Sequence, residues 1–359
     1  MIGQIDKEWI EAAIVGGGIL GGGGGGSMSD GRSLGRLALK LGDPRMVDLA
    51  QLPEDSLILV VSAVGAPSVA EHPMPSHYVR AVSLMLEELK GKVGALMTNE
   101  IGGLAVVNGL VQSAIVDLPL VDAACNGRAH PTGVMGAMGI SLQPGYLVQQ
   151  VTIGGSHRNA NYVELSCSGS LSIIAQLTRK LAEELECVVA AARTPILPSF
   201  VRANAAVGAI GQAVELGTVW LACDSGEEKI EQVTSAVNGK VVARGKVKSL
   251  TLAVRNGFDV GELQVGDVGL TFWNEYMTLE HGSERLATFP DLITTMDAET
   301  GHPITTAEIR EGQEIAVMTV AQANLNLGGG MRDRGVFRDI ERILGKEIVK
   351  YVCFDGEAR

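Results

Sequence analysis

Aromatic residues are scarce in this sequence, at 4% of the chain, so its cores must be built from Val, Leu, Ile, Ala and Met. Paired cysteines are missing too. Cys125, Cys167, Cys187, Cys223 and Cys353 are odd in number, widely spaced and free of any CxxC, which argues against a disulfide framework and fits a reducing cytoplasm. No Cys/His set has the spacing of a structural zinc site. No run of about 18–20 uninterrupted apolar residues reads as a membrane span. Positive charge is in deficit: the net charge of −12 and the lack of a Lys/Arg cluster argue against nucleic acid and against anionic membranes as partners. The apolar stretch at 12–26 is no signal peptide, because Asp6, Lys7, Glu8 and Glu11 precede it and nine glycines interrupt it.

What is present is an apolar, weakly charged chain of 359 residues, 46% hydrophobic and 19% charged, which excludes disorder and predicts two domains. Its 46 glycines follow no period, so collagen-like and low-complexity architectures are excluded. They are expected at tight turns and where backbone approaches a ligand.

Apolar periodicity predicts a short helix at 3–13, strand onset at Ile14 and Val15, and a glycine loop at 16–26. A helix follows at 33–41. Leu57–Val61 and Val93–Met97 read as strands buried on both faces, separated by a helix at 79–90. A helix at 104–113 and a short strand at 120–122 continue the alternation. The pattern is that of an α/β domain with a parallel or mixed sheet and flanking helices. Beyond it come helices at 171–186 and 205–216, then short strands at 241–243, 250–254, 268–273 and 314–319. This half reads as a strand-rich α+β domain. The expected division is 1–165 and 166–359.

Three segments carry the chemistry. The glycine tract, with Gly23, Gly24 and Gly25, reads as a substrate-approach loop between a strand and a helix; no Walker Lys follows it. Asn99 and Glu100, with Gly102 and Gly103 behind them, stand at the carboxyl end of a buried strand, where ligands collect in open sheets. The densest segment is Asp122–Thr132. There Cys125 is the candidate nucleophile, His130 and Glu100 move protons, Asp122 joins them as a catalytic carboxylate, and Asn99, Asn126, Arg128 and Thr132 bind substrate. A second reading makes Glu100, Asp122, Cys125 and His130 ligands of a divalent metal ion. Asn274 and Glu275, at another strand end, reach toward the interdomain cleft. His72 and His77 fit no standard metal pair.

The order of these segments resembles a known family. The glycine tract, Asn-Glu-Ile-Gly-Gly at 99–103, Asp122, Gly-Arg-Ala at 127–129, Gly-Lys at 245–246, Gly-Phe-Asp-Val-Gly at 257–261, Asn-Glu at 274–275 and Pro-Asp-Leu-Ile at 290–293 together resemble the S-methyl-thiohydantoin desulfurase family. The resemblance runs over roughly residues 10–350. It implies a hydrolase-like enzyme acting on a small hydantoin- or thiohydantoin-type ring by C–S or C–N hydrolysis. Members commonly carry a second acidic residue and an aromatic where this chain has Ala124 and His130. That departure suggests a subgroup with a different substrate, or a non-catalytic subunit of a hydantoinase- or oxoprolinase-type assembly. A small cyclic substrate is the expected partner, and a homo-oligomer the expected state.

Overall fold

The computed structural model describes residues 4–143 and 145–354. Two eight-stranded sheets organise them. The first is built from β1 (Met46–Val47), β2 (Leu57–Val64), β3 (Val93–Glu100), β4 (Leu120–Asn126), β5 (Val148–Gly154), β6 (Val163–Gly169), β7 (Val189–Ile196) and β8 (Ala206–Val207). Their order is β1-β4-β3-β2-β7-β5-β6, with β8 on the side of β4. β1 to β4 are mutually parallel, whereas β7, β5 and β6 add to the sheet antiparallel. The sheet is therefore mixed.

Side chains alternate across this sheet, as strand geometry requires. Leu59, Val61, Leu96, Leu120 and Ala124 face a core shared with α1 (Lys7–Leu20), α2 (Met28–Leu41), α3 (Pro75–Leu89), α4 (Leu110–Val116), α7 (Ala209–Leu221) and α8 (Gly226–Ala236). Ile58, Val60, Met97, Val121 and Cys125 face a smaller core closed by α5 (Leu171–Glu184) and α6 (Pro198–Asn204).

The second sheet holds β9 (Lys240–Arg255), β10 (Phe258–Val265), β11 (Val268–Trp273), β12 (Glu275–His281), β13 (Glu284–Thr288), β14 (Leu292–Asp297), β15 (Pro303–Ile304) and β16 (Glu314–Val320). It is antiparallel throughout, in the order β13-β12-β11-β10-β9-β16-β14-β15. The two short strands expected at 241–243 and 250–254 are one strand: β9 pairs β16 through its first half and β10 through its second. α9 (Arg334–Leu344) packs Phe337 against Phe289 and Trp273. Residue 165, the expected division, lies inside β6, and β7 and β8 return to the first sheet after it.

The start of the glycine tract departs from expectation. Ile14 and Val15 are helical, and α1 runs on through Gly16, Gly17 and Gly18 to Leu20. The reason is a close helix crossing. A Cβ at Gly16 would stand 1.8 Å from the Ala213 carbonyl oxygen of α7, and one at Gly217 would stand 1.8 Å from the Ala12 oxygen of α1. Packing in the core outweighs the helix cost of about 1 kcal/mol per glycine. The loop proper begins at Gly21 and is tied to the second domain, with Gly22 O accepting from Tyr276 N–H at 2.9 Å and Gly23 O from Thr306 N–H at 2.9 Å. Among the described residues no helix is long and apolar enough to cross a membrane.

Candidate active site

The carboxyl ends of β2 and β3 open into a cleft that the second domain covers. β3 ends on Thr98, Asn99 and Glu100, and the chain leaving β4 brings His130, Pro131, Thr132 and Gly133 alongside. Arg193 enters from β7 and Arg179 from α5, while Asn274 and Glu275 come from the β11–β12 junction. Gly25, Gly26 and Ser27 form part of the rim. The cleft is narrow: the centre of a water-sized sphere can range over about 100 Å³ of it.

A chain of hydrogen bonds crosses its floor. Arg193 Nη2 donates to Asn99 Oδ1, which leaves the Asn99 amide to donate to His130 Nε2 at 3.1 Å. His130 Nε2 must then be the acceptor, so the ring proton sits on Nδ1. Nδ1 stands 3.1 Å from Glu100 Oε2, and the His130 main-chain N–H donates to the same oxygen at 3.2 Å. Burial and then the Arg193 charge push the imidazole pKa down to about 3, so His130 is neutral. Gly136 makes room for this pair: a Cβ there would stand 2.0 Å from His130 Nε2 and 2.8 Å from Asn99 Oδ1.

Two carboxyl groups share the cleft. Burial raises the Glu100 pKa to about 7, against the lowering effects of the His130 N–H and of Arg193 and Arg179. Burial, and then the charge of Glu100, hold the Glu275 pKa well above the carboxylate range. Glu275 rests on the glycine loop, where a Cβ at Gly24 would meet its Oε1 at 2.0 Å. Glu275 Oε2 and Ser62 Oγ are buried and have no hydrogen-bond partner. Buried polar atoms left unpaired are costly, and both belong to residues that line the cleft, where a ligand would satisfy them.

The sequence-predicted residues divide. Glu100, His130, Asn99, Thr132, Gly25, Asn274 and Glu275 line the cleft. Asn274 is also structural, accepting the Asp259 N–H at 2.9 Å. Gly23 and Gly24 stand behind the lining as a clamp on Thr306 and as the bed of Glu275.

Cys125 is a correction. It is 1% exposed in the apolar core beneath α5, and burial pushes its thiol up to about 12. A thiol buried and held protonated is no nucleophile. Asp122 is a second correction: its Oδ1 accepts from the N–H groups of Ile210 and Gly211 at 3.0 Å each, so it caps α7. Asn126 and Arg128 are structural too. Asn126 ties Gly328 N–H to Arg128 O, both at 3.0 Å. Arg128 is fully buried, donates to Pro290 O at 3.1 Å and lies 4.6 Å over the Phe289 ring. Of the four proposed metal ligands Glu100 and His130 stay together at the cleft, Cys125 lies in the core beneath α5 and Asp122 lies at α7 across the sheet; among the described residues no group of three or more His, Cys, Asp and Glu side chains is placed to hold a metal ion.

Sequence reasoning missed Arg179, Arg193 and Ser62. Arg193 had a signal, a lone charge in the strand Val189–Ile196, whose other residues are apolar or small. Arg179 had none, since on α5 it shares the pattern of solvent-facing Lys180.

Comparison with known proteins bears on the whole chain. The model of the S-Me-THD-like N-terminal domain matches residues 8–163, and that of the S-Me-THD-like C-terminal domain matches residues 170–326. No curated protein matches the chain. The crystal structure of a protein from Chromobacterium violaceum is similar over 94% of this chain and 96% of its own, with a TM-score of 0.71 at 21% identity. At that identity the likeness speaks for the fold alone.

Proposed function

The chain belongs to the S-Me-THD-like family, and from that premise we propose that its cleft hydrolyses the bond between a ring carbon and an S-methyl sulfur in a small thiohydantoin-type ring. Family membership points to a thiohydantoin-related function; the hydrolytic step is our reading of the cleft. One observation carries it: two buried carboxyl groups, Glu100 and Glu275, each with its proton affinity raised by burial, line one cleft with two guanidinium groups. Carboxyl pairs whose environments push their pKa values apart serve as base and acid.

In this reading ionised Glu100 takes a proton from water as the water oxygen bonds to the ring carbon. Glu275, protonated, gives its proton to the ring nitrogen that receives the C=N electron pair. The C–S bond then breaks, methanethiol leaves with the proton held by Glu100, and the new hydroxyl proton returns to Glu275. Water enters, methanethiol departs, and a ring carbonyl remains. Arg193 and Arg179 line the cleft, and their charge favours the ionised form of Glu100. His130 stays neutral and orients Glu100.

The test is release of methanethiol, read with a thiol reagent, from an S-methylated thiohydantoin ring incubated with the purified chain. Release that stops in Glu100→Gln supports the proposal. Ring binding without release would instead favour the non-catalytic subunit that Ala124 suggests. Neither binding nor release removes the ring reading.

A further inference from the structure

The cleft continues past Arg193. A second hollow, open along its length, shares Val64, Thr132, Gly133, Arg179 and Arg193 with it. The neck between them lies at Gly133, where a Cβ would stand 2.7 Å from Arg193 Nη1 and 3.5 Å from Ala175 Cβ. A side chain at Gly133 would therefore press on Arg193 where the two hollows meet. One wall of the neck is fixed: Arg179 donates to Gly257 O at 2.8 Å and to Pro131 O at 3.0 Å, and its guanidinium lies 3.9 Å over the Phe258 ring.

Beyond the neck the hollow turns apolar. Ala175, Ile173 and Leu177 of α5 line it on one side, Val134 and Phe258 on the other. Ile173 is 53% exposed and Leu177 47% exposed. Large apolar side chains in such a row, beside a channel that leads to buried guanidinium groups, suit a ligand with a polar head and an apolar tail.

We propose that cleft and groove form one continuous site, and that the ring it accepts carries an extended arm: an acceptor such as an amide carbonyl at the neck, facing Arg179 and Arg193, and an apolar chain lying along α5. This rests on the reading of the cleft as a ring site. It adds that the arm beyond the ring determines specificity, with α5 supplying the contact surface.

Two synthetic rings test it, an S-methylated thiohydantoin with a methyl arm and the same ring with an N-hexyl propanamide arm. The long-armed ring should show a kcat/KM about tenfold higher or more, chiefly through KM, because the apolar tail leaves water only in the groove. Ala175→Trp, on a half-buried position of α5 outside the cleft, should erase that gain and leave the methyl-armed ring unchanged. The pair Ile173→Ser and Leu177→Ser, on exposed positions that the fold tolerates, should reduce the gain in the same direction. Equal kcat/KM for the two rings in the unaltered protein overturns the inference while leaving the ring reading intact, as does a preference that survives both variants. Failure of both rings to bind or react strikes the ring reading itself, and the inference falls with it.

Discussion

Glu100 Oε2 takes the His130 main-chain N–H at 3.2 Å and faces the Nδ1 of the same residue at 3.1 Å. The main-chain N–H of His130 thus holds one carboxyl oxygen of Glu100, and the ring of the same residue stands beside it. Because Asn99 donates to His130 Nε2, and Arg193 in turn donates to Asn99, the imidazole has its tautomer fixed from behind. The geometry suits a base that must be aimed and must not be permanently charged.

Replacement of Glu100 by Gln keeps the size of the side chain and one acceptor oxygen, and removes the base. Turnover should fall about a thousandfold, the scale of a positioned general base. KM should change by no more than about threefold, since uniform binding is little affected. Steady-state kinetics on folded variant, checked by circular dichroism, reads both.

The pH dependence follows from the direction of the shifts. Burial raises Glu100 to about 7, so the base is protonated and idle in mild acid, and kcat/KM should climb as pH rises through neutrality. Burial also holds Glu275 well above the carboxylate range; it is the acid of the pair, and kcat/KM should fall again where it loses its proton. Stability runs the opposite way. A carboxyl whose folded pKa lies above its unfolded value stabilises the fold below the unfolded value and loses that contribution as pH rises through the folded one. Glu100→Gln should therefore raise the unfolding free energy at pH 8, by on the order of 2 kcal/mol, and have little effect at pH 4. Denaturant titrations at the two pH values measure it.

Gly136→Ala reaches the same device without touching a titrating group. Its Cβ would press on His130 Nε2 and Asn99 Oδ1 and push the imidazole off Glu100. Misplacement of this kind should cost about a hundredfold in kcat, with a loss of about 1–3 kcal/mol in stability from the overpacked site. The crystal structure of the variant should show His130 displaced.

Cys125→Ala should leave turnover within about twofold of the unaltered protein and cost about 1 kcal/mol in stability, the scale of a small deletion from a packed core. Loss of turnover in a stable, folded Cys125→Ala protein would return the thiol to the mechanism.

Much of this was legible in the residues. Continuous apolar runs mark β2 and β3 as central strands, and Asn99–Glu100 at the end of β3 lies where ligands collect in such sheets. The dense segment 122–132 misled in four of its six members, Asp122, Cys125, Asn126 and Arg128, the first two because strand alternation turns residues an odd number apart to opposite faces. Cys125 points into the core beneath α5 and Asp122 to the start of α7, while His130, past the end of the strand, is free to reach the cleft. The glycine tract misled through packing: Gly16 to Gly18 serve a helix crossing that only the partner helix α7 reveals. Arg179 and Arg193 were beyond local pattern, since their convergence depends on β7 and α5 folding back from beyond residue 165 onto the first sheet.

The central claim is a carboxyl pair that keeps a proton near neutrality, and infrared titration of the carboxyl C=O stretch reads it without any substrate. The difference between the unaltered protein and Glu100→Gln should contain a protonated-carboxyl band at pH 5.5 that fades as pH passes through about 7. Absence of that band at pH 5.5, with Glu100 already ionised, would contradict the account.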